Sequence, residues 1–278
     1  MNGNVLITGC STGIGRACAL RLHRAGWRVY AGVRTEAGAG ALSGDGLCPV
    51  ILDVTEERSV LAAVEKIAAE MGDAGLSGLV NNAGIAVPGP VELLSTDDLR
   101  RQFEVNLVGL AAVTRACLPM LRKGQGRIVN MSSVSGRVAY PFLGAYAASK
   151  FALEALSDAL RVELRPWGIR VVLIEPGSVK TPIWGKGQAG YEELERRTQG
   201  GRWELYADAI SRFGEKVRRS GEQGIPPEAI AKIVEKALTA KRPRARYVPG
   251  FGTRLMLRVA GLMPTRLWDW TIARELEL

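Results

Sequence analysis

The sequence predicts an α/β fold in which a doubly wound parallel sheet carries helices on both faces. Two observations support this prediction. Short runs rich in β-branched residues alternate with longer helical patterns through about the first 180 residues, and no repeat or long linker interrupts them. Strands that alternate with helices pair in parallel, and right-handed crossovers then place helices on both faces of the sheet.

Seven segments are short, rich in β-branched residues and bounded by turn residues, which is typical of strands. They are residues 4–8, 28–33, 49–53, 78–82, 127–131, 169–176 and 245–248. Helical patterns lie between them near residues 13–25, 56–71, 97–121 and 145–165. Pro226 and Pro227 open one more helix, since proline suits a first helical turn.

The alternation loosens after Pro182. Residues 183–225 carry glycines, charges and several aromatic residues, and we interpret them as a partly helical excursion over the end of the sheet. This excursion is too short for a second domain. We therefore predict one domain over residues 1–278, with a C-terminal extension over residues 249–278.

Histidine and cysteine usage limits the possible chemistry. The chain has one histidine, His23, which we place on the surface of the first helix, so catalysis or metal binding by histidine is nearly excluded. The four cysteines form no C-x-x-C pair and no metal spacing, which indicates reduced, packed cysteines. No signal peptide is evident, and no uninterrupted apolar run reaches the length of a membrane span. We expect no metal site and a cytoplasmic location.

The chain carries a net charge of +9, and residues 241–278 hold eight basic and three acidic side chains. A basic tail can contact nucleic acid or an anionic membrane, although a solvated face is the usual interpretation. Residues 241–247 lack interleaved stacking aromatics, so we expect no nucleic-acid binding.

Peripheral membrane contact through the C-terminal tail is a further alternative. Arg254, Arg258 and Arg266 alternate there with apolar residues, and tryptophans follow them, as in helices that lie on a membrane interface. Pro264 would break any long amphipathic helix in this segment. Packing of the tail onto the core or onto a partner subunit explains the same residues.

The first predicted strand leads into TGCSTGIG at residues 8–15, and a helix follows. Gly9, Gly13 and Gly15 allow a tight turn, close approach of backbone N–H groups to a pyrophosphate, and packing of the helix on the strand. The helix N-terminus adds partial positive charge. The turn therefore predicts a dinucleotide site, and an ordinary Gly-rich turn is the structural alternative.

The same turn also fits G-x-S-x-G through Ser11, the pattern of the nucleophile elbow in α/β-hydrolases. A serine hydrolase of that class needs Ser, then an acid, then His along the chain. The single histidine is His23, and no acidic residue lies between it and Ser11. A serine hydrolase is therefore a poor alternative.

Tyr146 and Lys150 lie four residues apart in YAASK, within a predicted helix, so they share one face. A free phenol has a pKa of about 10 and a free lysine of about 10.4, but a nearby cation favours the phenolate. In a chain with one histidine, a tyrosine tuned by a lysine is the best available acid/base. A half-buried tyrosine beside a solvated lysine is the structural alternative for this pattern alone.

The motifs together resemble the short-chain dehydrogenase/reductase family, in family order and spacing, from Thr8 to Thr181. The matching segments are TGCSTGIG at 8–15, Asp53-Val54, NNAG at 81–84, Asn106 in FEVNLVG, Ser133 in GRIVNMSS, YAASK at 146–150 and PGSVKT at 176–181. The resemblance implies a Rossmann-type three-layer sandwich with a seven-stranded parallel sheet. It also implies NAD(P)(H)-dependent oxidation of alcohols or reduction of carbonyls.

Particular roles are implied by the same resemblance. Tyr146 is the general acid/base, and Lys150 lowers its pKa. Ser133 hydrogen-bonds the substrate oxygen, and Asn106 supports a water relay to Lys150. The implied cofactor site is formed by Thr8, Gly9, Ser11, Thr12, Gly13, Ile14, Gly15, Asp53, Val54, Asn82, Ala83, Gly84, Tyr146, Lys150, Pro176, Gly177, Val179 and Thr181.

Arg34 follows the second predicted strand and indicates NADP(H) as the preferred cofactor, with NAD(H) possible. An acidic residue about 20 positions past the glycines would bind the ribose 2′-hydroxyl of NAD, whereas an arginine accommodates the 2′-phosphate of NADP. No acidic residue occurs after the second strand until Glu36. Thr12 stands where many NADP(H)-preferring relatives have a second basic residue.

A bulky hydrophobic alcohol or carbonyl is the expected substrate. The candidate substrate residues are Ser133, Tyr140, Phe142, Leu143, Tyr146 and Trp184. The segment VYAGVR and the extended C-terminus resemble the 17β-hydroxysteroid and retinol dehydrogenase branch, which implies a steroid, a retinoid or a long-chain carbonyl.

Two further expectations come from the family resemblance. Some members keep the cofactor pocket and act as non-catalytic regulatory proteins, but those usually lose the tyrosine or the lysine. The resemblance also implies a homodimer or homotetramer, with helices 97–121 and 145–165 at the interface. Phe151, Leu153, Leu156 and Leu160 are available there for core or partner packing.

Overall fold

A computed structural model describes residues 3–198 and 201–277, without the side chains of Trp184 and Lys186. Seven parallel strands form one sheet in the order β3-β2-β1-β4-β5-β6-β7, which confirms the predicted doubly wound sheet. The strands are β1 (Asn4–Ile7), β2 (Arg28–Val33), β3 (Cys48–Ile51), β4 (Leu76–Asn81), β5 (Arg127–Met131), β6 (Arg170–Ile174) and β7 (Arg246–Tyr247).

Helices cover both faces of the sheet. The helices are α1 (Gly13–Arg24), α2 (Glu36–Ser43), α3 (Glu57–Met71), α4 (Thr96–Phe103), α5 (Leu110–Lys123), α6 (Gly144–Glu163), α7 (Ile183–Arg197), α8 (Ala207–Glu222), α9 (Pro227–Thr239), α10 (Phe251–Leu262) and α11 (Thr265–Leu276). The strand order reverses between β1 and β4, and ligands of such sheets bind beyond the carboxyl ends of the strands at that point.

Two apolar cores lie on opposite faces of the sheet. In β1, Val5 and Ile7 belong to the core beneath α1 and α9, whereas Leu6 belongs to the core beneath α3 and α5. All three side chains have no exposed surface, as expected for a strand covered on both faces. The two-residue side-chain period of the strand therefore anchors both helical layers at once.

The helices differ from the prediction in three places. The pattern at 97–121 is α4 and α5 joined by a π-helical turn at Glu104–Gly109. α2 was missed because its sequence, EAGAGALS, buries one apolar side chain, Leu42. The 183–225 excursion is largely helical, since it contains α7 and α8. Pro264 separates α10 from α11, as predicted.

The stretch Thr96–Lys123 is long and apolar enough, by length and composition, to cross a membrane. Its average hydropathy passes that criterion although no uninterrupted apolar run of this length occurs. α5 packs against β4 and α3, and Val113, Cys117 and Leu121 lie in the core beneath them. This packing is that of a core helix in the sandwich.

Gly15→Ala is expected to destabilise the fold where α1 crosses the end of β1. An added Cβ would lie 2.2 Å from the carbonyl oxygen of Gly9, and a backbone atom cannot move aside as a flexible side chain can. We expect the free energy of unfolding to fall by about 1–3 kcal/mol in urea denaturation.

Gly40→Ala is the matched control, because a Cβ there meets no atom within 4 Å. Alanine in the middle of α2 should stabilise the protein by roughly 0.5–1 kcal/mol. Equal stability of Gly15→Ala and the wild type would show that the backbone contact between α1 and β1 is not close.

Candidate active site

A cleft of about 2270 Å³ lies across the carboxyl ends of the strands. Its walls come from the turn after β1, the ends of β2 to β6, the start of α6, and helices α7, α8, α10 and α11. Small-molecule pockets are usually about 300–1,000 Å³, so this cleft has room for a dinucleotide and a bulky second molecule.

The Gly-rich turn is locked to the end of β4. The Thr8 hydroxyl accepts hydrogen bonds from the backbone N–H groups of Asn82 (3.0 Å) and Ala83 (2.9 Å). The Asn82 side chain donates to the carbonyls of Thr8 (2.9 Å) and Gly9 (3.1 Å). Gly9 has a φ of +72°, and a Cβ on it would lie 2.9 Å from the Cα of Ala83. The turn can therefore approach β4 this closely only with glycine.

The geometry of this turn fits a dinucleotide phosphate. Ser11, Thr12, Gly13 and Ile14 line the cleft at the N-terminus of α1. Thr12 is the N-cap residue, and its side chain makes no capping hydrogen bond. The N–H groups of the first turn are thus available for an anionic ligand. Thr8 and Gly15 do not line the cleft but hold the turn in place.

The far end of the cofactor half is polar. Asp53 and Val54 line it after β3, and the Asp53 carboxylate accepts hydrogen bonds from the N–H (3.0 Å) and hydroxyl (2.8 Å) of Thr55. Arg34 is exposed on the cleft wall at the end of β2. The cleft is also lined by further residues of the implied cofactor site, namely Asn82, Ala83, Gly84, Pro176, Gly177, Val179 and Thr181.

Ser133, Tyr146 and Lys150 meet at the base of the cleft. Ser133 follows β5, and its hydroxyl accepts a hydrogen bond from the N–H of Ser135 at 3.1 Å. Tyr146 and Lys150 lie on one face of α6, with the Lys150 Nζ 5.8 Å from the centroid of the Tyr146 ring. The Lys150 Nζ donates to the carbonyl of Met131 at 2.8 Å. The structure therefore brings the predicted trio together.

The pKa values at this trio depend mainly on burial. Burial lowers the pKa of Lys150 to about 8, although the negative charge of Glu154 opposes the shift. Burial also raises the pKa of Tyr146, against the effect of a side-chain hydrogen bond with Ser133. The sequence predicted a lowered Tyr146 pKa, and the protein alone gives the opposite direction because burial outweighs that hydrogen bond.

Ser132 is distinguished from Ser133 by its partners. The Ser132 hydroxyl is buried and has no hydrogen-bond partner among the described residues. It lies beside Gly136, where an added Cβ would be 2.9 Å away. The Ser133 side chain, unlike that of Ser132, acts to lower the pKa of Tyr146, which favours Ser133 as the serine of the site.

Asn106 lies behind the cleft, in the π-helical turn after α4. Its side chain accepts from the N–H of Ile85 (2.9 Å), and donates to the Ile85 carbonyl (3.0 Å) and the Ser149 hydroxyl (3.1 Å). A Cβ on Gly84 would lie 3.4 Å from the Asn106 Oδ1 and 3.9 Å from the Lys150 Nζ. Asn106 thus ties α6 to the loop after β4, and its water relay stays a prediction.

The substrate half of the cleft is largely apolar. Tyr140 and Leu143 line it as predicted, but Phe142 does not. Phe142 has a φ of +64°, and its ring packs edge-on against Tyr206 and Phe213 beneath the cleft surface. Trp184 lies in α7, and its side chain is outside the part of the chain that the structure describes.

The C-terminal helices supply cleft residues that the sequence did not single out. Tyr140 packs edge-on against Trp268, with ring centroids 6.5 Å apart, and its hydroxyl lies 4.0 Å from the Met256 sulfur. Met256, Trp268 and Ile272 line the cleft. Their apolar composition was visible in the sequence, but no local signal connects them to Tyr140.

Neither a hydrolase nor a metal site is supported by the geometry. Ser11 lines the cleft, whereas His23 lies against Gly46, away from the cleft lining. Within residues 3–198 and 201–277, no three His, Cys, Asp or Glu side chains are grouped to hold a metal ion.

A dinucleotide-sized cleft with a serine–tyrosine pair at its base is the arrangement of a nicotinamide-dependent oxidoreductase. The comparison with known families agrees, since residues 3–192 match the family described as short chain dehydrogenase. The chain belongs to this family, which confirms the resemblance found in the sequence.

Three relatives show how far this similarity extends. The chain is 38% identical to retinol dehydrogenase 5 of Mus musculus, over 97% of this chain and 89% of the relative. It is 36% identical to 17-beta-hydroxysteroid dehydrogenase type 6 of Homo sapiens, over 98% and 88%. A solved short chain dehydrogenase/reductase of Burkholderia phymatum, in complex with NAD, is 26% identical with a TM-score of 0.78, over 92% of each chain.

Proposed function

We propose that this protein is an NADP(H)-dependent oxidoreductase that interconverts a bulky hydrophobic alcohol and its ketone or aldehyde. The observation that carries the proposal is the grouping of Ser133 and Tyr146 with the buried Lys150, at the base of a large apolar cleft. The Gly-rich turn and the open N-terminus of α1 support a dinucleotide in the other half.

When bound, the nicotinamide supplies or accepts the hydride. A carbonyl oxygen that receives a hydride on its carbon develops negative charge, which two hydroxyl donors stabilise. Tyr146 donates its proton to this oxygen in reduction and takes it back in oxidation. Ser133 donates a hydrogen bond that orients the same oxygen. The Lys150 charge favours the phenolate form of Tyr146, in the direction opposite to that of burial.

Tyr146→Phe tests this mechanism, since it removes the proton donor and keeps the ring. We expect kcat on a panel of hydrophobic ketones and alcohols to fall by about 10²–10⁴-fold, the usual contribution of a general acid/base. Binding of the dinucleotide, followed by fluorescence titration, should be largely retained.

Tyr247→Phe is the matched control, because Tyr247 lies in β7 outside the cleft lining. It should leave turnover unchanged. Substantial turnover by Tyr146→Phe would refute the mechanism. Cofactor binding without turnover on any substrate by the wild type would favour the alternative, a non-catalytic regulatory protein with the same fold.

The NADP(H) preference rests on Arg34. Its guanidinium group is exposed at the end of β2 and makes no ion pair with any of the described residues. An arginine at this position can bind a 2′-phosphate through charge-assisted hydrogen bonds. The solved relative in complex with NAD shows that the fold alone does not impose NADP, so we assign the preference to the Arg34 side chain.

Arg34→Asp is expected to lower the ratio of kcat/KM with NADPH to kcat/KM with NADH. A hydrogen bond to a charged group contributes about 1.5–3 kcal/mol, which corresponds to roughly 10–100-fold. Arg24→Asp, at the exposed end of α1, makes the same change of charge away from the cleft and should leave the ratio unchanged. A ratio unmoved by Arg34→Asp would remove the basis for the assignment.

The substrate class follows from the walls of the cleft. Tyr140, Leu143, Met256, Trp268 and Ile272 give an apolar lining with an adaptable methionine. The names of two relatives refer to retinol and to hydroxysteroids. We therefore propose a steroid, a retinoid or a long-chain carbonyl as substrate.

Peripheral membrane contact through the C-terminal hairpin, α10 and α11, is part of the proposal. Phe251, Leu255, Val259 and Leu262 of α10 are 76%, 51%, 44% and 87% exposed. The first three recur every four residues and so share one face. Arginines at 254, 258 and 266 accompany them, which suits an anionic membrane surface. Other residues of the same hairpin line the cleft.

A triple substitution, Phe251→Ser, Leu255→Ser and Leu262→Ser, tests this contact. It spares the cleft-lining side chains, whereas deletion of the tail would remove part of the cleft. Wild-type protein should partition onto vesicles containing phosphatidylserine, less so at high salt. The triple variant should bind at least tenfold more weakly, since burial of one such side chain contributes about 1.5–3 kcal/mol.

The matched control is Val91→Ser, Val162→Ser and Leu205→Ser, which removes three other exposed apolar side chains. It should partition like the wild type. Equal partition of both triple variants would dispose of the hairpin as the membrane contact.

A homodimer or homotetramer and a cytoplasmic location complete the proposal. Phe151 on α6 is 45% exposed and Val162 is 71% exposed, so both are available to a partner subunit. Leu153 is completely buried in the core, and Leu156 packs against that core, so Leu153 cannot serve an interface.

The free cysteines at 10, 18, 48 and 117, of which three are buried, support the proposed cytoplasmic location.

A further inference from the structure

A group of three carboxyls, of which two are buried and the Asp158 carboxyl is half-exposed, lies behind Lys150. Glu154 follows Lys150 by one helical turn of α6 and is 6% exposed. Glu175 comes directly after β6 and has no exposed surface. Its N–H donates to the carbonyl of Tyr247 at 2.9 Å, which fixes it against β7. Asp158 stands one further turn along α6.

Arg246 forms ion pairs with all three carboxyls. The Arg246 Nε lies 3.0 Å from an oxygen of Glu154 and 3.2 Å from an oxygen of Glu175. Another nitrogen of Arg246 donates to both oxygens of Asp158, at 2.7 and 2.8 Å. Asp158 has Arg161 as a second partner. Glu154 and Glu175 are therefore close neighbours that share one side of one guanidinium group.

The carboxyl of Glu175 is short of hydrogen-bond partners. Neither of its oxygens, nor the Oε1 of Glu154, makes a hydrogen bond within the described part of the chain. Arg137, which is half-exposed, approaches Glu175 at 3.6 Å. Two neighbouring carboxyls in a buried site resist ionising together. Burial and the negative charge of Glu154 raise the pKa of Glu175 to about 7, with Arg137 and Arg246 acting against them.

We propose that Glu154 and Glu175 hold one proton between them at low pH, and that its release strengthens the negative field that keeps Lys150 protonated. The pair acts through Lys150, so both glutamates are positioning residues. When the proton leaves for solvent water, the neutral carboxyl becomes a carboxylate and the site gains one negative charge. Its effect on catalysis rests on the proposed function, whereas the shared proton does not.

The direction of the effect follows from the charges that face the pair. Lys150, Asp158 and Arg161 face it from α6, Arg246 from β7 and Arg137 from the loop after β5. Glu154 raises the pKa of Lys150, against the lowering by burial to about 8. Ionisation of Glu175 adds negative charge beside Glu154, in the direction that favours the protonated form of Lys150.

Carbon-13 NMR titration of protein labelled at glutamate carboxyls and lysine Cε tests the pair without any substrate. The wild type should show a glutamate carboxyl that titrates near neutral pH and disappears in Glu175→Gln. In Glu154→Gln, which keeps an acceptor for Arg246, the midpoint of Glu175 should fall by about one pH unit, as for coupled groups. Arg137→Gln, a change at a half-exposed side chain, should raise the midpoint.

Glu163→Gln is the control, since Glu163 is exposed at the end of α6. It should move neither the Glu175 midpoint nor the Lys150 midpoint. The Lys150 midpoint should fall in both Glu175→Gln and Glu154→Gln. A Glu175 midpoint unmoved by Glu154→Gln would overturn the shared proton, and an unmoved Lys150 midpoint would overturn the link to Lys150.

The pH dependence of kcat gives the catalytic readout. Glu175→Gln imitates the protonated pair. Its kcat should therefore match that of the wild type near pH 6. On the alkaline side, the kcat of the variant should begin to fall at a lower pH than that of the wild type. Coinciding alkaline limbs would overturn the catalytic role of the pair. Absence of turnover in every protein would defeat the proposed function, while the NMR titrations would still decide whether the pair exists.

Discussion

The burial of Lys150 is the constraint on which the rest of the site depends. An ammonium group that loses its hydration shell keeps its charge only when nearby groups replace that shell. The Met131 carbonyl accepts a hydrogen bond from the Lys150 Nζ at 2.8 Å, and Glu154 adds a negative charge one turn away on α6. Gly84 lies beside both the Lys150 Nζ and the Asn106 Oδ1, which a Cβ added there would meet at 3.9 Å and 3.4 Å. The YAASK motif can therefore act as a site only together with the groups that surround Lys150.

The edge strand β7 supplies a charged residue to the surroundings of Lys150. β7 is only two residues long, and its register pairs Arg246 with Leu173 and Tyr247 with Ile174 of β6. That pairing places the Arg246 guanidinium beneath α6, against Glu154, Asp158 and Glu175. A short edge strand therefore positions the cation that pairs with Glu154, the residue whose charge raises the pKa of Lys150.

The sequence was sufficient for the sheet and for the residues that meet in the cleft, because both depend on short-range patterns. The strands are buried on both faces and read as apolar runs, while each motif residue sits at a strand end or on one helix face. The sequence pattern was insufficient where long-range packing determines whether a side chain lines the cleft or is buried. Phe142 and Tyr140 are two residues apart and equally aromatic, yet only Tyr140 lines the cleft, because the positive φ of Phe142 turns its ring beneath it. Likewise, the raised pKa of Tyr146 depends on burial that no motif encodes.

The C-terminal helices combine two properties, a wall of the cleft and an exposed apolar face. Met256 of α10 meets the Tyr140 hydroxyl, while Leu255 next to it is half-exposed with Phe251 and Val259. Adjacent residues of a helix point in different directions, so one helix can serve both purposes without compromise. The exposed apolar face of α10 and the side chain that contacts Tyr140 therefore belong to one helix, and the sequence of that helix has to satisfy both sets of neighbours.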